Sequence, residues 1–241
     1  MSTNRSAAEK EHATRVRAMF ANISARYDFL NHLLSGNMDK RWRHKVARQL
    51  RSARGHSGRI LDVACGTGDL ALTLFEATGA RVIGTDFCRP MLEIARGKAS
   101  RGQSAVPFVE GDALQLPFPD DSFDGVTIAF GLRNLASVPG GLKELLRVAK
   151  PGGMVVVLEF SKPKVPGFRA LFQFYFHRVL PLLGGALSGS KSAYEYLPDS
   201  VTRFPDQEQL ALLMRNLGFA DVKYLNLTGG IAAIHSGNKP E

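Results

Sequence analysis

The run ILDVACGTGDLA, residues 60–71, constrains this chain more than any other stretch of it. An apolar strand-like segment ends on Gly66-Thr67-Gly68 and passes directly into helix-forming residues. Glycines at such a turn let a ligand approach the backbone and leave the first amides of the helix free to donate. Downstream, short apolar runs (RVIGTD, AVPFVEGD, FDGVTIAF, MVVVLEF) alternate with helical periodicity near 69–78, 89–99 and 137–149. That alternation predicts an α/β fold, a parallel sheet with helices on both faces. Pro90 opens one of these helices, and Pro151-Gly152-Gly153 reads as a stop after another. The last third predicts a helix over 206–217, with Asp206 and Gln209 at capping-box spacing, followed by strands ADVKYLNL and IAAIHSG.

Composition matters mainly through its asymmetry. The 241 residues carry a net charge of +9, and all of that excess sits at one end. Residues 1–59 hold thirteen Lys and Arg against four Asp and Glu, whereas the rest holds eighteen of each. Within this arm, Val16, Met19, Phe20, Ile23 and Tyr27 recur at helical spacing. A second helix is expected with Asp39 as N-cap, Trp42, Val46 and Leu50 on one face, and Arg41, Lys45 and Arg48 on another. Such a basic arm suits a polyanionic partner, either a membrane surface or nucleic acid.

The expected organisation is a flexible lead-in (1–11), a basic helical cap (12–56) and an α/β domain (57–241) with an apolar substrate-side insertion at about 164–200. Within that insertion, FRALFQFYFHRVLPLLGG (168–185) is interrupted by Arg169, His177, Arg178 and Pro181. It reads either as a buried helix or as a flap that lines a channel or touches a bilayer. The polar N-terminus lacks the apolar core of a signal peptide, and Cys65 and Cys88 read as free thiols, so a cytoplasmic location is expected.

The glycine loop alone does not choose its ligand, because Gly66, Gly68 and Ala71 also satisfy a dinucleotide-binding pattern. Two carboxylates help to separate the cases, while Asp86 would serve either cofactor class. Asp62 lies in the strand ahead of the loop, where it would repel a pyrophosphate but attract an ammonium and a sulfonium. Asp86 ends the next strand and is placed for two ribose hydroxyls, while Asp112 and the Ala113 amide could take an adenine. Together they favour S-adenosylmethionine.

Further motifs widen the reading. YDFLNHLLSGNMDKRWR (27–43), GLRNL (131–135), RVAKPGGMVVVLEFSKP (147–163), YEYLPDSVTRFPDQEQL (194–210) and NLTGGIAAIHSG (226–237) all resemble the menaquinone/ubiquinone biosynthesis C-methyltransferase family. The resemblance implies a class I, Rossmann-like fold: a seven-stranded, mostly parallel sheet with its last strand antiparallel, plus an N-terminal helical cap. It implies methylation of a ring carbon of a polyprenylated quinol, with demethylmenaquinol placed first. The alternative is the 2-polyprenyl-6-methoxy-1,4-benzoquinol precursor of ubiquinone. Thr67, Asp86, Asp112 and Ala113 match family positions that contact the cofactor. Two positions depart from the pattern: Ala129 stands where many members have Ser, and Asp39 where many have His.

Methyl transfer to carbon needs an aligned, electron-rich ring and a protein that orients it and excludes water. Arg133 and Asn134 follow the fourth strand and are expected to stabilise a phenolate and bind a ring oxygen. Tyr27 joins them as a candidate catalytic residue, with Asp28, Asn31 and Tyr196 holding the quinol. No metal-ligand spacing is present and no metal is expected. The expected partners are a lipophilic quinol and, transiently, the inner membrane surface, with room for a homodimer and no nucleic acid. An RNA or DNA methyltransferase and a non-catalytic partner protein are the rival readings. Against the first, no Asn/Asp-Pro-Pro-Tyr/Phe motif occurs.

Overall fold

Every second residue of the apolar runs faces the same side, and this alternation divides the core in two. In the computed structural model, which describes residues 6–54, 58–163 and 191–241, the runs form one sheet. Its strands are β1 (Arg59–Val63), β2 (Arg81–Asp86), β3 (Phe108–Glu110), β4 (Phe123–Ala129), β5 (Ala149–Phe160), β6 (Ala220–Leu227) and β7 (Ala232–Asn238). Their order is β3-β2-β1-β4-β5-β7-β6. β1 to β5 run parallel, and β7 lies antiparallel between β5 and β6.

Val156 and Leu158 of β5 pack on one side with Trp42, Val46, Leu50, Leu74 and Leu92. Val155 and Val157 pack on the other with Leu142, Leu145, Leu210 and Met214. The helices that supply these layers are α2 (Met38–Arg54), α3 (Asp69–Thr78) and α4 (Arg89–Arg101) on the first face, and α5 (Val138–Val148) and α7 (Gln207–Asn216) on the second. α2 therefore covers the sheet beside α3, while α1 (Ala7–Leu34) and α6 (Lys191–Arg203) lie against each other and α6 also packs on η1, the 3-10 turn Leu132–Asn134.

Several boundaries differ from the sequence reading. α1 begins at Ala7, inside the lead-in expected to be flexible, because Ser6 and Glu9 form a reciprocal cap (Glu9 N to Ser6 Oγ 3.2 Å, Ser6 N to Glu9 Oε2 2.9 Å). Asp39 is not the N-cap of α2 but sits in its first turn, where its carboxylate accepts from His32 Nδ1 (2.7 Å), Ser35 Oγ (2.8 Å) and Arg43. α5 ends at Val148, ahead of Pro151-Gly152-Gly153 as expected, but the strand that follows starts before Met154. β5 runs through Pro151-Gly152-Gly153, because Ala149 already pairs with Phe123 and the Gly152 and Gly153 backbones bond to Lys239 at the end of β7. The expected cap at Asp206 is present, with Gln209 N donating to Asp206 Oδ1 and the Gln209 side chain accepting from Asp206 N. The segment 168–185 and His177 lie outside the described residues.

Candidate active site

The carboxyl ends of β1, β2 and β4 form the floor of a cleft, and α1 is its roof. Ala13, Val16, Phe20 and Tyr27 of α1 face Gly66, Asp86, Asp112, Ala113, Ala129 and Asn134 across a space of about 770 Å³ including its mouth. Val16, Phe20 and Tyr27 of the apolar stripe on α1 thus cover the cleft itself.

The glycine loop turns through left-handed conformations at Ala64, Gly66 and Gly68. At Gly68 a Cβ would meet the Phe108 ring at 2.8 Å, so this glycine serves packing. At Gly66 a Cβ would meet nothing within 4 Å, so this glycine leaves an open approach to the backbone. Gly68 is also the N-cap of α3 and supplies no side-chain cap, which leaves the helix amides to a ligand. Asp86 holds the loop in place: its two oxygens accept from Gly66 N (2.9 Å) and Cys88 N (2.8 Å). Burial pushes its carboxyl up to about 6 against these amide bonds. Across the cleft, Asp112 turns its own backbone by accepting from Leu114 N at 2.8 Å, beside the buried Ala113. An open glycine, a carboxylate at the end of β2 and an apolar slot toward Asp112 and Ala113 fit the ribose and adenine of S-adenosylmethionine.

Two expected cofactor residues lie elsewhere. The Thr67 hydroxyl is taken up by Asp28 and by Lys98 Nζ (3.1 Å), pointing to α1 rather than forming the cleft wall. Asp62 lies beneath the loop, 1% exposed, with Thr127 Oγ1 donating to one oxygen at 2.8 Å and no partner on the other. Burial pushes its carboxyl up to about 7. The unpartnered oxygen is a buried acceptor that suits a cationic ligand group.

Asp62 also sets a stability prediction. Its folded pKa lies above the unfolded value, so the unfolded chain releases the proton first, and stability falls as pH rises from about 4 to about 7. Asp62→Asn removes that cost and is expected to raise stability at pH 8 by roughly 1–3 kcal/mol, with little gain at pH 4. Thermal unfolding of both proteins at the two pH values checks the sign.

Asp28 was expected at the substrate but belongs to an ion network. Lys98 Nζ bridges Asp28 Oδ2 (2.5 Å) and Asp69 Oδ1 (2.6 Å), and Arg43 reaches Asp69 (3.3 Å) and Asp39 (2.5 Å). His32, Asp39 and Asp69 bring three ligand atoms within 4.8 Å, but Arg43 and Lys98 already neutralise their carboxylates. The network ties α1 and α2 to the glycine loop.

The far end of the cleft gathers the remaining candidates. Arg133, in η1, is held by Glu159 of β5. The Arg133 amide donates to Glu159 Oε2 (3.2 Å) and its Nη1 to Oε1 (2.8 Å), with a further bond from Nη1 to the Phe130 carbonyl. Its guanidinium lies 5.3 Å from the Phe160 ring centroid, and its Nε has no partner. Asn134 donates from its side chain to the Phe130 carbonyl (3.1 Å), while its Oδ1 is buried without a partner and its carbonyl bonds His12 Nε2 (3.0 Å). Tyr27 and Tyr196 lie within electrostatic reach of Arg133, and Asn31 bonds Tyr27. Burial raises both phenols, opposed by Arg133. Phe130, Phe160 and Trp42 form an aromatic wall with ring centroids 4.8–6.4 Å apart, and Trp42 Nε1 donates to Thr228 Oγ1 at 3.1 Å.

Of the expected site residues, Tyr27, Gly66, Asp86, Asp112, Ala113 and Asn134 line the cleft, Asn31, Arg133 and Tyr196 adjoin Tyr27 at its far end, and Asp28, Asp62, Thr67 and Gly68 lie off its wall. Glu159, Lys98 and His12 were not read from the sequence. A single carboxylate inside MVVVLEF was the available signal for Glu159, since a buried charge requires a partner.

Comparison with known proteins settles the family. The model of the ubiE/COQ5 methyltransferase family matches residues 8–239. The chain belongs to the ubiE/COQ5 methyltransferase family. It is 54% identical to a demethylmenaquinone methyltransferase of Thermus thermophilus, over 92% of this chain and 100% of that one. It is 49% identical to a protein of the same name from Deinococcus radiodurans, over 93% of this chain and 92% of that one. A ubiquinone/menaquinone biosynthesis C-methyltransferase UbiE of Geotalea uraniireducens is 46% identical over 95% and 98%. These names give no support to an RNA methyltransferase. A SAM-dependent methyltransferase structure from Thermotoga maritima shares the fold (TM-score 0.64, 21% identity, 93% of this chain and 99% of that one). This ubiE/COQ5 family member is a SAM-dependent methyltransferase with the seven-stranded fold expected, and among its described residues no helix is long and apolar enough to cross a membrane.

Proposed function

We propose that the protein methylates a ring carbon of demethylmenaquinol, yielding menaquinol. The observation that carries this reading is that Arg133 Nε and Asn134 Oδ1, at the end of the cleft lined by Tyr27 and Asn134, have no protein partner, beside two half-buried tyrosines. A quinol presents two ring oxygens, and one unpaired cationic donor next to one unpaired acceptor complements a phenolate and a hydroxyl. Relatives at 54% and 49% identity carry the name demethylmenaquinone methyltransferase, which supports this substrate over the benzoquinol.

S-adenosylmethionine, when bound, supplies a sulfonium methyl as the electrophile. The protein's residues do the rest by position. Gly66, Asp86, Asp112 and Ala113 line the cleft and would hold the cofactor. Arg133 stabilises the phenolate that makes the ring carbon nucleophilic, and Asn134 accepts from the second hydroxyl. Tyr27 and Tyr196 keep their protons near neutral pH, so they donate to ring oxygens rather than act as bases. Because neither tyrosine acts as a base, the proton lost from the methylated ring carbon would leave to a water molecule at the cleft. α1, lying over the cleft, excludes bulk solvent from this step.

We place the reaction at the cytoplasmic face of the membrane, where a polyprenyl quinol resides, with the protein bound peripherally. The test is transfer of labelled methyl to reduced demethylmenaquinone, to the reduced benzoquinone precursor and to bulk RNA in parallel. Label in the naphthoquinol, dependent on a reductant, is the expected result. Label only in the benzoquinol would reassign the substrate, and label only in RNA would overturn the reading.

A further inference from the structure

Every exposed described side chain of α2 between residues 40 and 51 is basic: Lys40, Arg41, His44, Lys45, Arg48 and Arg51. At 3.6 residues per turn these six fall within an arc of roughly 140°. Trp42, Arg43, Val46, Ala47 and Leu50 occupy the opposite arc and are buried against the sheet. None of the six makes an ion pair among the described residues, and Asp39, the one acidic side chain of α2, is engaged by Arg43. An ordinary solvated helix face mixes signs, because like charges three or four residues apart destabilise the helix. This one places Arg41 next to Lys45 and Lys45 next to Arg48 with no acid between them.

We propose that this face of α2 is the surface by which the protein docks on an anionic phospholipid bilayer. The choice of a bilayer rests on the quinol reading above, since a substrate with a polyprenyl tail must be collected from a membrane. Two features of the face itself agree with a flat, headgroup-binding contact. It is a strip on one helix, tangential to a plane, and apart from the His44 imidazole it carries no exposed ring on which a base could stack. The contact also places the site usefully. α2 is joined to α1 by the Gly36-Asn37 turn and by the bond from His32 to Asp39, so the element held at the lipid surface is continuous with the roof of the cleft.

Phosphatidylglycerol-containing vesicles, phosphatidylcholine vesicles and a short RNA duplex, each offered to the full chain and to an Arg41→Glu/Lys45→Glu/Arg48→Glu variant, test this. All three positions are exposed and outside the cleft, so thermal unfolding and methylation of a short-tailed, water-soluble demethylnaphthoquinol are expected to be unchanged. The wild type should sediment with anionic vesicles and not with neutral ones, and at about 0.5 M salt the binding should be lost. Each cation contributes about fivefold at a charged surface, so the triple reversal should weaken binding by about a hundredfold or more. Equal binding by variant and wild type, or equal binding to neutral vesicles, would overturn the proposal. So would preferential capture of the RNA duplex at about 0.15 M salt, lost in the variant, which would mark α2 as a nucleic-acid face. The soluble quinol assay reports separately on the substrate: if the wild type does not methylate it, the quinol reading fails whatever the vesicles show.

Discussion

Removing the Arg133 guanidinium is expected to lower turnover by about 10²–10³ while leaving the affinity for S-adenosylmethionine within about twofold. The two halves of the cleft are built from different elements. Gly66 and Asp86 bind each other at the β1 and β2 ends, whereas Arg133 is fixed by Glu159 on β5 and by the Phe130 carbonyl. Arg133→Ala alone would leave Glu159, 1% exposed, as an uncompensated carboxylate, at a cost of about 3–5 kcal/mol. The pair should therefore also be removed together, as Arg133→Met with Glu159→Gln, which leaves a neutral interior of similar volume. Both variants should lose turnover alike, and the double one should melt near the wild type. A stably folded double variant that had lost cofactor binding would contradict the division of the cleft, and one that kept full turnover would remove Arg133 from the chemistry.

The second large effect is at Asp86. Asp86→Ala leaves the Gly66 and Cys88 amides without acceptors, about 1–3 kcal/mol each, and removes the carboxylate offered to the ribose. Cofactor affinity should fall by about a hundredfold or more, measured calorimetrically, with kcat at saturation reduced far less. Asp86→Asn should fall between the two, because it retains one acceptor. The wild type should also show a pH dependence of its own: with the carboxyl at about 6, affinity declines by about tenfold per pH unit below that value. In Asp86→Asn this limb near pH 6 should be absent. The effect on stability has the opposite sense, since a carboxyl raised in the fold costs stability as pH rises from about 4 to about 6.

Much of this was legible before any coordinates. The strand–glycine–helix signature and the alternating apolar runs specify an α/β sheet because a parallel strand buried on both faces must be apolar throughout. The caps at Pro90 and Asp206 and the carboxylates Asp86 and Asp112 were found for the same kind of reason, each being a local rule with a short reach. The readings that failed required knowledge of a distant neighbour. Asp39 looked like a cap until Arg43, His32 and Ser35 converged on it. Asp28 and Thr67 looked like ligand residues until Lys98, 31 positions beyond Thr67 in the chain, joined them to Asp69. Pro151-Gly152-Gly153 marked the end of α5, but that β5 already runs through these glycines was visible only once Lys239 supplied their backbone partners.

What the sequence determined by itself was therefore the sheet, its glycine loop, the family and the basic arm, all of which depend on periodicity, turn chemistry or charge count. What only the tertiary structure decided was which polar groups satisfy one another. Glu159 holds Arg133 across 26 residues, His12 reaches Asn134 across 122, and α2 buries Arg43 against Asp39 and Asp69 while Lys40, Arg41, Lys45, Arg48 and Arg51 face outward. The physical reason is that a buried polar group is costly without a partner. The partner is chosen by where the chain folds back, and no local pattern records that.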